Sequence, residues 1–198
     1  MLKHTFLLLS ILFSLNAAYS QSADTVYDQY LDFNLARLKG EQDKLLELGE
    51  KVLSNADKLP EKARISFYFS IGKVYEDNND LSRAAVYFEK VAAAVPNYYV
   101  AQRGLGYIYL NDVKAIEKKL NAAKTDIKTN QQLFADYIAA AKKALPHLEK
   151  AQACDPSDET MAIIKSLYKS MKDVKGIETL DDRLKQLSSN CIDILDDH

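Results

Sequence analysis

The sequence predicts an all-α protein made of stacked antiparallel helix pairs, with one pair much longer than the rest. Three observations lead there. Apolar residues recur at spacings of three and four along most of the chain, the period of helices with one buried face. Alternating runs rich in Val, Ile and Thr, the mark of a sheet, are absent. One set of positions, Ile71, Gly72 and Tyr75, returns at a single constant offset as Leu105, Gly106 and Tyr109. The 198 residues, 47% apolar and 27% charged with only 6 Gly and 4 Pro, suit such a folded, helix-rich chain.

The first twenty residues, MLKHTFLLLSILFSLNAAYS, read as a secretory signal peptide. Lys3 and His4 form a short basic start, Phe6 to Leu15 is almost unbrokenly apolar, and Ala18 and Ser20 supply the small residues for cleavage after Ser20. The apolar run is shorter than the roughly 20 residues a membrane span requires. No cysteine lies near the cleavage site, so no lipid anchor is expected there, nor any membrane insertion after cleavage. The remainder, 21–198, is expected to be exported, periplasmic or secreted. Losing residues 1–20 removes Lys3 and no acid, leaving 25 basic against 28 acidic residues. So mild a balance offers no basic field for nucleic acid.

Residues 24–60 read as two helices around Gly40, with Leu31, Leu35 and Leu38, then Leu45, Leu48 and Val52, as inward stripes. The clearest unit, 65–98, follows. Ile71, Gly72 and Tyr75 share one helix face, and the missing side chain of Gly72 lets a neighbour approach closely. Asp77-Asn78-Asn79-Asp80 is a turn, and Ala84, Phe88 and Val91 form the stripe of the next helix, which Pro96 ends. These four reappear as Ala144, Leu148, Ala151 and Pro156, at a second offset that exceeds the first by 26 in every case. A single insertion between Tyr109 and Ala144 accounts for both offsets.

Those positions resemble the tetratricopeptide repeat (TPR) family. In the first unit Tyr68, Ile71, Gly72, Tyr75, Ala84, Phe88 and Pro96 fall on signature positions; in the second, over 99–158, Leu105, Gly106, Tyr109, Ala144, Leu148, Ala151 and Pro156 do. Val91 replaces the usual alanine, and Gln102 stands where an early aromatic is usual. The resemblance implies a right-handed solenoid and no catalytic residues. The chain is similar to secreted bacterial members with an extended second repeat. The flanking regions, 24–60 and 158–190, are expected to be degenerate or capping hairpins, the latter formed by helices over 158–171 and 176–188. Residues 193–198 are expected to fray.

The insertion, 110–143, holds neither Pro nor Gly. Val113, Ile116, Leu120 and Ala123, then Leu133, Phe134, Tyr137, Ile138 and Ala141, set two facing seams, so an antiparallel helical arm is expected, projecting roughly 20 Å at 1.5 Å per residue. Pro146 is expected to kink the returning helix. The Lys114, Lys118 and Lys119 face of the arm is a contact surface at most, and such faces are usually only solvated.

No catalytic, metal or cofactor constellation emerges. His147 lacks acid or cysteine partners at ligand spacing, and Gly104-Leu105-Gly106 lies within a helical pattern and follows no strand. Gly106 is a packing socket; Gly104 has no role in the pattern. For Cys154 and Cys191, an oxidising compartment favours a disulfide, with two free thiols as the alternative.

In TPR arrays the inner face of each first helix often holds an extended peptide. Carried over, the resemblance points to Phe69, Lys73 and Glu76, then Arg103, Tyr107 and Leu110. The asparagine-and-lysine carboxylate clamp of chaperone-binding members is not reproduced, which argues against that partner class. The expectation is a non-enzymatic interaction module of the cell envelope that binds a protein or peptide. The alternative is a structural subunit of an envelope complex or a homo-oligomer.

Overall fold

The computed structural model describes residues 25–123 and 125–195. Over these the chain is all-helical, with one isolated parallel bridge between Tyr98 and Ile192. The signal peptide expected over 1–20 lies outside the described residues. Among those described, no helix is long and apolar enough to cross a membrane.

Helix α1 is described over 25–39, and α2 spans Gln42–Leu53. Between them Gly40 takes φ of +70°, while the Glu41 N–H donates to the Ala36 carbonyl at 2.9 Å. This left-handed closure satisfies carbonyls that the end of α1 leaves over, and it turns the chain back. Asn79, at φ 59°, repeats the device between α3 (Glu61–Asp77) and α4 (Leu81–Ala94), with the Asp80 N–H donating to Tyr75 at 2.8 Å. Asp80 then caps α4, accepting the Arg83 N–H at 3.0 Å.

Helices α5 (Tyr99–Ala122) and α6 (Ile127–Cys154), of 24 and 28 residues, form the long pair. Asp126 starts α6 by accepting the Thr129 N–H at 3.1 Å. Pro146 lies inside α6, which continues through it, and its missing N–H leaves the Lys142 carbonyl without an intrahelical partner. Helix α7 (Asp158–Ser170) follows. The expected last helix over 176–188 is instead two: α8 (Val174–Glu178) and α9 (Leu180–Leu187), parted at Thr179. There the Thr179 hydroxyl turns back to the Lys175 carbonyl at 2.9 Å. Packing runs from α2 onto α3, α3 onto α4, α4 onto α5 and α5 onto α6, and α6 meets both α7 and α9.

Glycine sockets set the spacing in the middle of the core. The fully buried Phe88 ring lies between α3 and α5. A Cβ added to Gly72 would stand 2.8 Å from that ring, and one added to Gly104 2.7 Å from its other edge. Gly104 thus acquires the role its pattern withheld. Leu148 sits against Gly106 in the same way, 2.8 Å from an added Cβ.

A polar constellation recurs three times. Tyr75 donates to Glu50 at 2.6 Å, Arg83 pairs with Glu50 at 3.1 Å, and the Arg83 guanidinium lies 4.3 Å from the Tyr75 ring centre. Tyr109 donates to Glu89, Lys143 pairs with Glu89 at 3.5 Å, and its ammonium lies 3.9 Å from the Tyr109 ring. Tyr168 donates to Glu149 at 2.6 Å, Arg183 pairs with Glu149 at 2.7 Å, and its guanidinium lies 5.3 Å from the Tyr168 ring. Each set joins three different helices: a tyrosine, a glutamate from the helix before it, and a cation from a later helix, α4, α6 or α9.

Two expectations about the ends are corrected. In α1 the buried residues are Val26, Tyr30, Phe33 and Ala36, and Leu31, Leu35 and Leu38 face outward. The aromatic pair Phe33–Phe67, with ring centres 5.3 Å apart, decides the face, because two large rings bury more apolar area there than the leucines would. At the other end, of the tail expected to fray over 193–198, the described part through 195 is docked, and 196–198 lie outside the described residues. Ile192 donates to the Asn97 carbonyl at 2.9 Å and accepts from the Tyr99 N–H at 3.1 Å, and Leu195 packs beside Val91, Tyr98 and Ala101.

Cys154 and Cys191 are joined in a disulfide, closing a loop across 37 positions. Beside it the buried Lys150 ammonium donates to Asn97 Oδ1 at 3.0 Å and to the Leu187 and Asn190 carbonyls at 2.9 and 2.7 Å. All three of its protons find acceptors, so the cation is held without a carboxylate, and burial pushes its pKa down. Replacing both cysteines with serine is expected to cost about 3 kcal/mol, because the open loop regains chain entropy on unfolding. Urea denaturation of the oxidised protein and the double variant checks this.

Candidate functional site

Phe69, Lys73 and Glu76 project from the third turn of α3 onward, and Arg103 and Tyr107 from the second and third turns of α5. Spacings of three and four keep each set on one helix face, and α4 behind them holds α3 and α5 apart. All five line a cavity of about 320 Å³ between α3 and α5, floored by Phe88 and Gly104. Gly104 has a second consequence here: without a side chain, it leaves the edge of the Phe88 ring within reach of the cavity.

Leu110, the sixth expected residue, does not join them. It is 4% exposed and packs in the core, facing Ile163 and Leu167 of α7. The reason is that α7 folds over the later turns of α5, so only the early turns keep their inner face open. Sequence spacing places Leu110 on the Arg103 face but carries no sign of where the next helix crosses.

The walls are tied together. Phe69 meets Tyr98 edge-on, with ring centres 5.0 Å apart, and lies 5.8 Å from Phe88. Lys73 pairs with Glu76 and stands 3.8 Å from Asp77; Arg103 pairs with Asp155 and lies over the Tyr99 ring. Tyr107 shares a hydrogen bond with Thr160 at 2.9 Å. Lys73 and Arg103 keep 46% and 37% of their side-chain surface exposed, so both can exchange a weak surface pair for a ligand carboxylate. The site therefore sets apolar side chains beside two exposed cations. Among the described residues, no Ser, Thr, Cys or His lines it.

A larger cavity of about 520 Å³ lies between α6, α7 and α9, walled by Leu145, Pro146, Met171 and Leu187. Of its four ionic groups, Glu149 and Arg183 already satisfy each other, while Lys142 and Asp173 also line it. Among the described residues, no group of three His, Cys, Asp or Glu side chains is placed to hold a metal ion. His147 is half-buried, tilted over Tyr109 and hydrogen-bonded to Gln102, and burial pulls its pKa down. Gln102 thus holds that imidazole and, at 2.9 Å, the Pro96 carbonyl.

The three recurring tyrosines share one electrostatic signature. Burial, and then the hydrogen bond to a glutamate, push the phenol pKa of Tyr75, Tyr109 and Tyr168 well above the usual range, and burial above all takes Tyr98 up to about 12. Phenols in the unfolded chain ionise near pH 10. Their contribution to stability is therefore complete below about pH 10 and is lost as pH rises toward the folded values. The urea midpoint is expected to fall from about pH 10 upward, and Tyr109→Phe to shallow that fall; an unchanged slope in the variant refutes the assignment.

Neither a scan of protein-family models nor a search of curated proteins finds a match to this chain.

Proposed function

We propose that this chain is an exported, non-enzymatic TPR-like repeat protein whose helix pairs stack as a right-handed solenoid. In this reading it holds an extended protein or peptide segment against α3 and α5. The observation that carries the binding role is the gathering of Phe69, Lys73, Glu76, Arg103 and Tyr107 around one open cavity. A ligand side chain lies between Phe69 and Tyr107 while a carboxylate draws Lys73 or Arg103 from its internal partner. The repeat reading is supported by the equivalent sockets Gly72–Phe88 and Gly106–Leu148, and by the tyrosine–glutamate–cation sets that link successive pairs. Export is supported by the leader-like composition of 1–20 and by the disulfide, which is stable in oxidising compartments. The long α5–α6 arm is a second presentation surface, with Ile127 at its tip 74% exposed.

Affinity capture from the envelope of the source cell, comparing the wild type with Lys73→Glu/Arg103→Glu, tests this. Loss of one or more partners in the variant is the expected result. An identical set of captured proteins overturns the groove assignment.

A further inference from the structure

Helix α1 is apolar on two sides. Val26, Tyr30, Phe33 and Ala36 enter the core, while Tyr27, Leu31, Leu35 and Leu38 are 38%, 48%, 49% and 81% exposed. The exposed four follow spacings of four, four and three, so they form one continuous stripe beside the buried face. No other described helix concentrates as many large exposed apolar side chains. Such a contiguous apolar stripe marks a surface that becomes covered.

The charges beside the stripe indicate what covers it. Asp28 and Asp32 lie toward its start and Lys39 at its end, all on the same flank. Asp28 and Lys39 are both exposed, and Lys39 attracts Glu41 beyond the end of the helix. A helix acidic at one end of a flank and basic at the other complements itself when reversed.

We propose that this face binds a second copy of the same chain, with the two α1 helices packed antiparallel about a two-fold axis near residue 33. In that register Tyr27 meets Leu38 of the second copy, Leu31 meets Leu35, and Asp28 meets Lys39, each contact occurring twice as an isologous interface requires. Parallel packing about a two-fold axis instead puts this flank on opposite sides of the seam, so Asp28 and Lys39 do not meet. The seam between Tyr27 and Leu38 is only about 16 Å long at 1.5 Å per residue, below the span of an obligate interface, so the dimer dissociates in the micromolar range. The stripe is on α1 and the groove on α3 and α5, so this inference does not rest on the peptide-binding reading.

Sedimentation equilibrium tests it, on the full chain expressed with residues 1–20 and purified as the cell processes it, from about 1 to 300 µM. A reversible dimer is expected. Leu31→Glu/Leu35→Glu should leave a monomer with unchanged helicity, since both side chains face outward. Asp28→Lys should weaken the dimer about tenfold by setting like charges together, and Asp28→Lys/Lys39→Asp should restore it to within about threefold. A monomer throughout overturns the proposal, as does a dimer indifferent to the two glutamates. A charge swap that fails to restore association overturns the antiparallel register. A monomer whose mass retains residues 1–20 and whose α1 amides are protected only when those residues are present overturns it in favour of the chain's own leader as the cover.

Discussion

Phe88→Ala is expected to lower the unfolding free energy by about 4 kcal/mol, among the largest effects of any single substitution in this protein. Three helices depend on that ring. It springs from α4, fills the notch at Gly72 on α3 and presses its other edge on Gly104 of α5. Removing it loses the transfer free energy of a buried aromatic side chain and opens a void that two glycines cannot close. Filling the notch is not a remedy, because a methyl group on Gly72 or Gly104 meets the ring at 2.8 or 2.7 Å and forces it to move. Gly104→Ala alone should cost about 1–3 kcal/mol, the range for overpacking. In the Phe88→Ala background the same change should be neutral or stabilising, since the void accepts the methyl. Urea titrations of the two single variants and the double variant measure this; additive losses contradict the notch.

Arg183→Met should cost about 3 kcal/mol, at the lower end of what an unpaired buried charge typically costs. Glu149 has only 6% of its side-chain surface exposed, and Arg183 meets it with two nitrogens, Nε at 3.0 Å and Nη2 at 2.7 Å. Without that fork the carboxylate stays buried with the Tyr168 hydroxyl as its remaining partner. The lower figure applies because Arg183 is 30% exposed and water partly replaces it. Glu149→Leu/Arg183→Met should be more stable than Arg183→Met, giving a coupling of about 2 kcal/mol in a double-mutant cycle. A double variant no better than the single one removes the buried charge from the explanation.

Much of the middle of the molecule was legible in advance. The two constant offsets located the positions of Gly72, Tyr75, Phe88, Gly106 and Leu148, because tight packing admits few residue types and the pattern repeats. The recurring polar sets were missed, though a signal existed: Arg83 and Lys143, and likewise Glu89 and Glu149, are as far apart in the chain as Phe88 and Leu148. α1 misled because both its faces are apolar, and periodicity alone does not rank two stripes. Tyr30 and Phe33, not the leucines, face the core. Leu110 was misplaced for a different reason: a one-helix wheel says nothing about the helix that crosses it. The docked tail could not be read, since a short segment held by two backbone hydrogen bonds leaves no periodic trace.

The three tyrosine–glutamate–cation sets also differ in depth along the molecule. Glu50 and Glu89 keep 49% and 50% of their side-chain surface exposed, against 6% for Glu149. The disulfide and the caged Lys150 add their hold at that same deep end. Opening therefore has a direction. In native-state hydrogen exchange, α1 and α2 should release their amides first and the α6–α9 region last, so the molecule breathes from its amino-terminal side while the other end stays shut.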